Sequence, residues 1–226
     1  MKKTAIFTVF VYVLLCSCTP EDYYYKDLVE NKDIVYPGKI TDLSYSSGHH
    51  RFAMDFTLSK DQQVNKMIIF WNNRADSIAI SIQENEIGQA KQIIVEDIPE
   101  ATYDFEIYTQ NKYNIRSIPT RTTGRVYGDE YIATLHNRVF LDGGFDRGRA
   151  WLEWIPEVRE DFIYTKITYE TKDGKQQIIE MPKDTDWTYL DNYKTGTKVY
   201  FQAAYQPQEQ TLDVYYTSSD GMIVPE

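Results

Sequence analysis

The 226-residue sequence predicts an all-β protein, two β-sandwiches in tandem behind a short leader and tether. Three observations carry that reading. Tyrosine, phenylalanine and tryptophan number 19, 10 and 4, and aromatic and β-branched side chains favour the pleated, half-buried surface of a strand. After Cys18 no stretch sustains long helical periodicity, whereas short apolar alternations bounded by turn residues recur. About two hundred residues follow the leader, too many for one small core and enough for two.

The leader comes first. Lys2 and Lys3 open the chain, an apolar run from Ala5 to Leu15 is broken only by Thr8 and Tyr12, and small residues lead up to a cysteine. Residues 1–17 therefore read as a secretory signal peptide. The run is too short to cross a bilayer, which takes ~20 apolar residues. Leu15-Cys16-Ser17-Cys18 resembles a bacterial lipobox, whose final cysteine is acylated and begins the mature protein. The resemblance implies lipid attachment at Cys18 and a membrane anchor. Each buried CH₂ contributes ~0.8 kcal/mol, and several acyl chains hold where one does not. Glu21 and Asp22, just beyond, resemble the surface-export signal of Bacteroidota lipoproteins and imply an outer-membrane protein facing the cell exterior.

Both cysteines of the chain, Cys16 and Cys18, lie in this region, so the rest can form neither a disulfide nor a cysteine-based metal site. Stability has to come from packed cores. The chain carries 24 basic and 34 acidic residues, net −10, and loss of the leader removes Lys2 and Lys3 and no acid. That balance opposes binding to nucleic-acid phosphates, which takes clustered Lys and Arg, and adhesion to anionic lipid through a basic face.

The elements follow in order. Residues 18–38 are tether and lead-in, with an aromatic Tyr23-Tyr24-Tyr25 and a Pro37-Gly38 turn signal. Residues 39–127 form the first sandwich. Phe52, Met54 and Phe56 alternate with Ala53 and Asp55, a half-buried strand. Lys66 to Trp71 is apolar on both faces, as a covered central strand is. Asn72-Asn73 turns the chain into the partner strand of Ile78, Ile80 and Ile82, and Ile93 to Val95 is a further strand. Tyr103, Phe105 and Ile107 point one way, five residues after Ile98 across a bend. That pattern resembles the E–F corner of a fibronectin type III module, where the tyrosine hydroxyl bonds back to the bend. The same resemblance makes Asn114 to Pro119 the last strand.

Residues 128–137 are the connector. Asp129 is placed to cap a short helix from Glu130 to about His136, with Tyr131, Ile132 and Leu135 on one side, wedged between the sandwiches. Residues 138–226 repeat the plan. Ala150, Leu152 and Trp154 alternate up to Ile155-Pro156, resembling the fibronectin type III B strand and its core tryptophan. Thr165, Ile167 and Tyr169 form the next strand, Asp173-Gly174 turns it into Ile178-Ile179, Val199, Phe201 and Ala203 form the F strand, and Leu212 to Thr217 the last. Val199 stands where a corner tyrosine would be.

Taken together, Val35-Tyr36-Pro37-Gly38-Lys39, Arg51, Trp71-Asn72, Tyr103-Asp104-Phe105, Val126-Tyr127-Gly128 and Asn137-Arg138 resemble a Bacteroidota lipoprotein family described as a domain of unknown function. The resemblance spans nearly the whole mature chain. It implies fibronectin type III-like modules and an envelope location, and no activity.

Chemistry is sparse. No HExxH, GxSxG or phosphate-binding glycine loop is present. His49 and His50 are adjacent, and neighbours on a strand face opposite sides, so they are expected not to share a metal. Asp142 to Glu153 has the length of an EF-hand loop, but Gly144 and Arg147 stand where an acid and a turn glycine belong, and a plain turn is expected. No metal, cofactor or catalytic residue is expected, and the chain reads as no enzyme. Four aromatics remain as candidate ligand or partner contacts: Trp151, facing away from the core side of its strand, and Trp187, Tyr189 and Tyr193 in a polar stretch. Flat rings stack on sugar faces or anchor protein partners. The expected function is a non-catalytic envelope binding or accessory module, in surface glycan capture; the alternative is a structural or protein-docking subunit of an envelope complex.

Overall fold

The computed structural model describes residues 35–226, and within them Pro37–Glu226 form one compact unit. The expected signal peptide, Cys18, Glu21, Asp22 and the Tyr23–Tyr25 run lie outside the described residues. Four antiparallel sheets make up the unit. Strands β1 (Thr41–Gly48), β2 (Arg51–Thr57) and β5 (Ala90–Val95) pair in the order β1-β2-β5. Strands β3 (Val64–Trp71), β4 (Asp76–Ser81), β6 (Ala101–Asn111) and β7 (Thr120–Val126) pair as β4-β3-β6-β7. The chain then repeats itself. Strands β8 (Phe140–Asp146), β9 (Arg149–Trp154) and β12 (Trp187–Leu190) pair as β12-β9-β8. Strands β10 (Phe162–Glu170), β11 (Gln176–Pro182), β13 (Val199–Tyr205), β14 (Tyr215–Tyr216) and β15 (Asp220–Met222) complete the fourth sheet, with β15 also on β13. Three strands against four or more, twice over, is the fibronectin type III arrangement that the resemblance implies. Among the described residues no helix is long and apolar enough to cross a membrane.

Alternation decides which side chains fill each interior. Phe52, Met54 and Phe56 from β2 meet Met67 and Ile69 from β3 and Phe105 and Ile107 from β6 in the first core. Phe52 and Phe105 approach to 4.5 Å between ring centres and Trp71 sits edge-on to Phe52 at 6.3 Å. Such pairs contribute ~0.5–1.5 kcal/mol each beyond their buried area. In the second core Trp154 is fully buried and meets Phe201 edge-on at 4.6 Å. Between the two lies a third apolar cluster of Tyr127, Tyr131, Phe162, Tyr205 and Tyr215. Burial pushes the Tyr205 hydroxyl up to about 12, and that hydroxyl donates to the His136 carbonyl at 2.7 Å.

The corner expected at Tyr103 is present, its hydroxyl donating to the Pro99 carbonyl at 2.9 Å. The segment Asp142 to Glu153 is a hairpin, β8 to β9, turning through Arg147 and Gly148 at φ 49° and 83°. Two successive left-handed residues make the turn whose twist suits paired strands.

Three expectations are corrected. The last strand of the first sandwich is β7, not Asn114 to Pro119. Pro119 has no N–H to give a ladder, and Ser117 Oγ accepts from Thr109 N–H at 3.1 Å before regular pairing begins at Thr120. The last strand of the second is split into β14 and β15 rather than running from Leu212 to Thr217. The connector helix α1 spans Asp129–Ala133, and Asp129 is inside it rather than capping it. Glu100, almost buried at the E–F corner, accepts from Glu130 N–H at 2.8 Å and from Tyr131 N–H at 3.1 Å. A carboxylate from thirty residues away thus satisfies the orphan donors of the first turn. From this helix Tyr131 packs on Tyr127 and Tyr215 and donates to Asp161 at 2.9 Å.

Candidate functional site: an aromatic face on the second sandwich

The site is built on β9 and β12. Ala150, Leu152 and Trp154 of β9 are buried, so Arg149, Trp151 and Glu153 face the other way. On β12 Leu190 is buried, Trp187 is 53% exposed and Tyr189 half-buried. Register then sets the face: Tyr189 lies directly opposite Trp151, and Trp187 opposite Glu153. Directly opposed residues share one side of a sheet. Trp187 and Tyr189 meet edge-on at 5.2 Å, and the Arg149 guanidinium lies 4.0 Å above the Tyr189 ring, a cation–π contact that orients the ring. Opposite Trp151 on β8 stands Gly144, whose missing side chain leaves the indole lying 3.6–3.8 Å from where a Cβ would be. The rim is charged: Arg149 donates to Asp191 at 2.7 Å, and the Tyr189 hydroxyl reaches Asp146 at 3.4 Å.

Three of the four candidate aromatics therefore share a face, Trp151, Trp187 and Tyr189. Tyr193 does not. It is 3% exposed, packs on Tyr169 at 6.3 Å and donates to the Thr197 carbonyl. Tyr193 locks the E–F region of the second sandwich from a position six residues before Val199, the place where the corner tyrosine is missing. Arg149 and Gly144 were not anticipated; the signal for both is their register, which only pairing reveals.

A second polar concentration sits where the β1–β2 turn meets the loop before β14. Ser47 and Thr211 form a parallel bridge, and Leu212 N–H donates to the Ser47 carbonyl at 2.7 Å. Asp213 accepts from His49 N–H at 2.8 Å and from Arg51 at 2.5 and 3.2 Å. Burial alone would raise the Asp213 carboxyl, but these hydrogen bonds outweigh it and hold the group below the ordinary value. Here the two histidines do not face opposite ways. His50 adopts φ 51°, left-handed, so the alternation of a strand does not apply, and the His49 and His50 rings stand 4.6 Å apart. His49 Nε2 lies 3.4 Å from Asp129 Oδ1 on α1.

Several of the residues that carry the family resemblance hold the framework. Arg51 pairs with Asp213, Trp71 is core, and Arg138, 2% exposed, donates to the carbonyls of Ile155 at 2.8 Å and Thr185 at 2.7 Å and to the Asp186 carboxylate. Asn137 donates to Asp220 at 2.7 Å and to the Ser218 carbonyl at 2.8 Å.

Architecture and site together define a tandem β-sandwich protein with an outward aromatic face. By a match over residues 18–215, the chain belongs to the DUF4998 family, a domain of unknown function. No curated protein matches it. Solved structures similar to it include the FN1–FN3 domains of chicken CNTN1, at 12% identity and TM-score 0.46 over 85% of this chain and 69% of that one. A two fibronectin type III domain segment from chicken tenascin matches at 11% identity and TM-score 0.35, over 84% of this chain and the whole of that one.

Proposed function

We propose that the chain is a non-catalytic envelope lipoprotein, anchored through Cys18 and displayed on the outer surface, that captures glycans on the aromatic face of its second sandwich. The observation that carries the glycan reading is the exposure of Trp187 beside Tyr189 and opposite-strand Trp151, rimmed by Arg149, Asp146 and Asp191. Ring faces stack on the C–H faces of sugars, and the charged rim supplies hydrogen bonds to hydroxyls. The anchor rests on the lipobox at Cys18, and surface display on Glu21 and Asp22. Affinity gels with varied polysaccharides, run with the full chain and with Trp187→Ala, test the ligand: retardation lost in the variant supports capture, and no retardation on any polysaccharide ends it. Loss of membrane fractionation in Cys18→Ala tests the anchor.

A second reading, a protein-docking subunit, has its own support. Val139 and Leu141, just before and within β8, are exposed, and β8 is an edge of its sheet; Ile155 and Val158, just after β9, are exposed too. Apolar side chains along an open edge suit an added strand. A stoichiometric protein partner retained in mild detergent, with no glycan retardation, favours this reading.

A further inference from the structure

We propose that His49, His50 and Asp129 form a binding site for a single transition-metal dication of the zinc type. The three side chains come from two separate elements. His49 and His50 are the turn between β1 and β2, and Asp129 is the first residue of α1. Each offers one ligand atom, and these atoms lie within 4.8 Å of one another. His49 Nε2 is 3.4 Å from Asp129 Oδ1 and His50 Nε2 is 4.0 Å from Asp129 Oδ2. Ligands on a tetrahedral ion at ~2.0–2.1 Å sit about 3.3 Å apart. One pair already has that spacing. The Asp129 side chain, 88% exposed, is free to swing in for the other.

What separates this from a chance surface cluster is the way His50 is held. Its Nδ1 lies 3.2 Å from the Ile98 carbonyl. A carbonyl only accepts, so Nδ1 is the donor, and in the neutral ring Nε2 is the nitrogen whose lone pair is left on the side of Asp129. Metal-binding imidazoles are oriented in this way, by an outer hydrogen bond from the second ring nitrogen. The backbone is committed to the same pose. His50 N–H donates to the Tyr127 carbonyl at 2.8 Å and Ile98 N–H donates to the His50 carbonyl at 2.9 Å. Room for the ring comes from Gly128, where a Cβ would fall 2.6–2.7 Å from the His50 imidazole. Any side chain there would displace the ring. Two imidazoles and a carboxylate suit zinc and its neighbours rather than calcium or magnesium, which take oxygen ligands. Three protein ligands leave a coordination position for water or an outside group. A bound ion would fasten the β1–β2 turn to the helix that packs against Tyr215.

Calorimetric titration of the full chain in mild detergent, stripped with chelator and then given ZnCl₂ alone, tests the site. Asp129→Ala removes an exposed ligand from a helix that alanine suits, and His50→Asn keeps a residue that tolerates left-handed backbone. The expected result is one Zn²⁺ per chain, affinity reduced at least about tenfold in each variant, the size of loss that even outer-shell changes produce, and no heat from CaCl₂. His136→Asn, at a histidine that instead faces Glu157 at 3.3 Å, should bind as the parent does. Unchanged Zn²⁺ affinity in either ligand variant, or loss of binding in His136→Asn, overturns the proposal.

Discussion

Arg51 of β2 and Asp213 of the loop before β14 are joined by two hydrogen bonds, Nη2 to Oδ1 at 2.5 Å and Nε to Oδ2 at 3.2 Å. They stand 162 residues apart in sequence, and the same carboxylate takes the His49 N–H. Side-chain exposures of 35% and 24% leave the pair partly screened. Asp213→Ala is expected to destabilise the chain by about 1–2 kcal/mol, the range of charge-assisted hydrogen bonds discounted for solvent. Urea unfolding followed by tryptophan fluorescence measures it.

The same carboxyl sets a pH dependence. Its folded pKa lies below the unfolded value of 3.8, so its contribution is whole above that value and is lost as pH falls through the lower, folded one. Asp161 behaves alike, held down first by its Arg159 hydrogen bond. Thermal midpoints measured downward from pH 6 should hold until about pH 4 and then fall. Asp213→Asn should make that fall shallower.

Tyr103 makes a local anchor and Glu100 a distant one. Tyr103→Phe deletes one hydroxyl whose hydrogen bond closes the corner, and should cost about 1 kcal/mol with an unchanged denaturant slope.

Glu100→Ala strips two backbone donors of α1 of their acceptor. About 1–2 kcal/mol is expected, and amide exchange at Glu130 and Tyr131 should quicken.

The two tryptophans Trp154 and Trp187 should part company. Trp154→Ala empties a fully buried site and is expected to cost about 3–5 kcal/mol. Trp187→Ala, on the open face, should move stability by no more than about 0.5 kcal/mol, so any loss of ligand retention would report on the face itself.

Much of the framework was legible in the sequence. Phe52-Met54-Phe56, Ile78-Ile80, Ala150-Leu152-Trp154 and Val199-Phe201-Ala203 each alternate, and each is a strand with those residues turned inward or toward an apolar cluster. Period-two patterning is a local property, readable without knowing the partner strand. Tyr103 was legible for the same reason: its acceptor is four residues away. Asp129 was misplaced because a nearby acid is the ordinary cap, and nothing local announces that Glu100 is folded back against the helix. The polar neighbours of Tyr193 suggest an exposed ring like that of Trp187, yet its ring turns into the core.

Alternation, turn residues and aromatic content by themselves determined an all-β chain with two cores and the strands that line them, because burial on one face of a strand writes itself into every second residue. Which distant side chains meet was decided only by tertiary structure. The His49, His50 and Asp129 cluster needs a left-handed backbone at His50 and a helix eighty residues on, and the aromatic face needs the register of β9 against β12. Both depend on pairing across long loops, where the chain's local preferences carry no information about the partner.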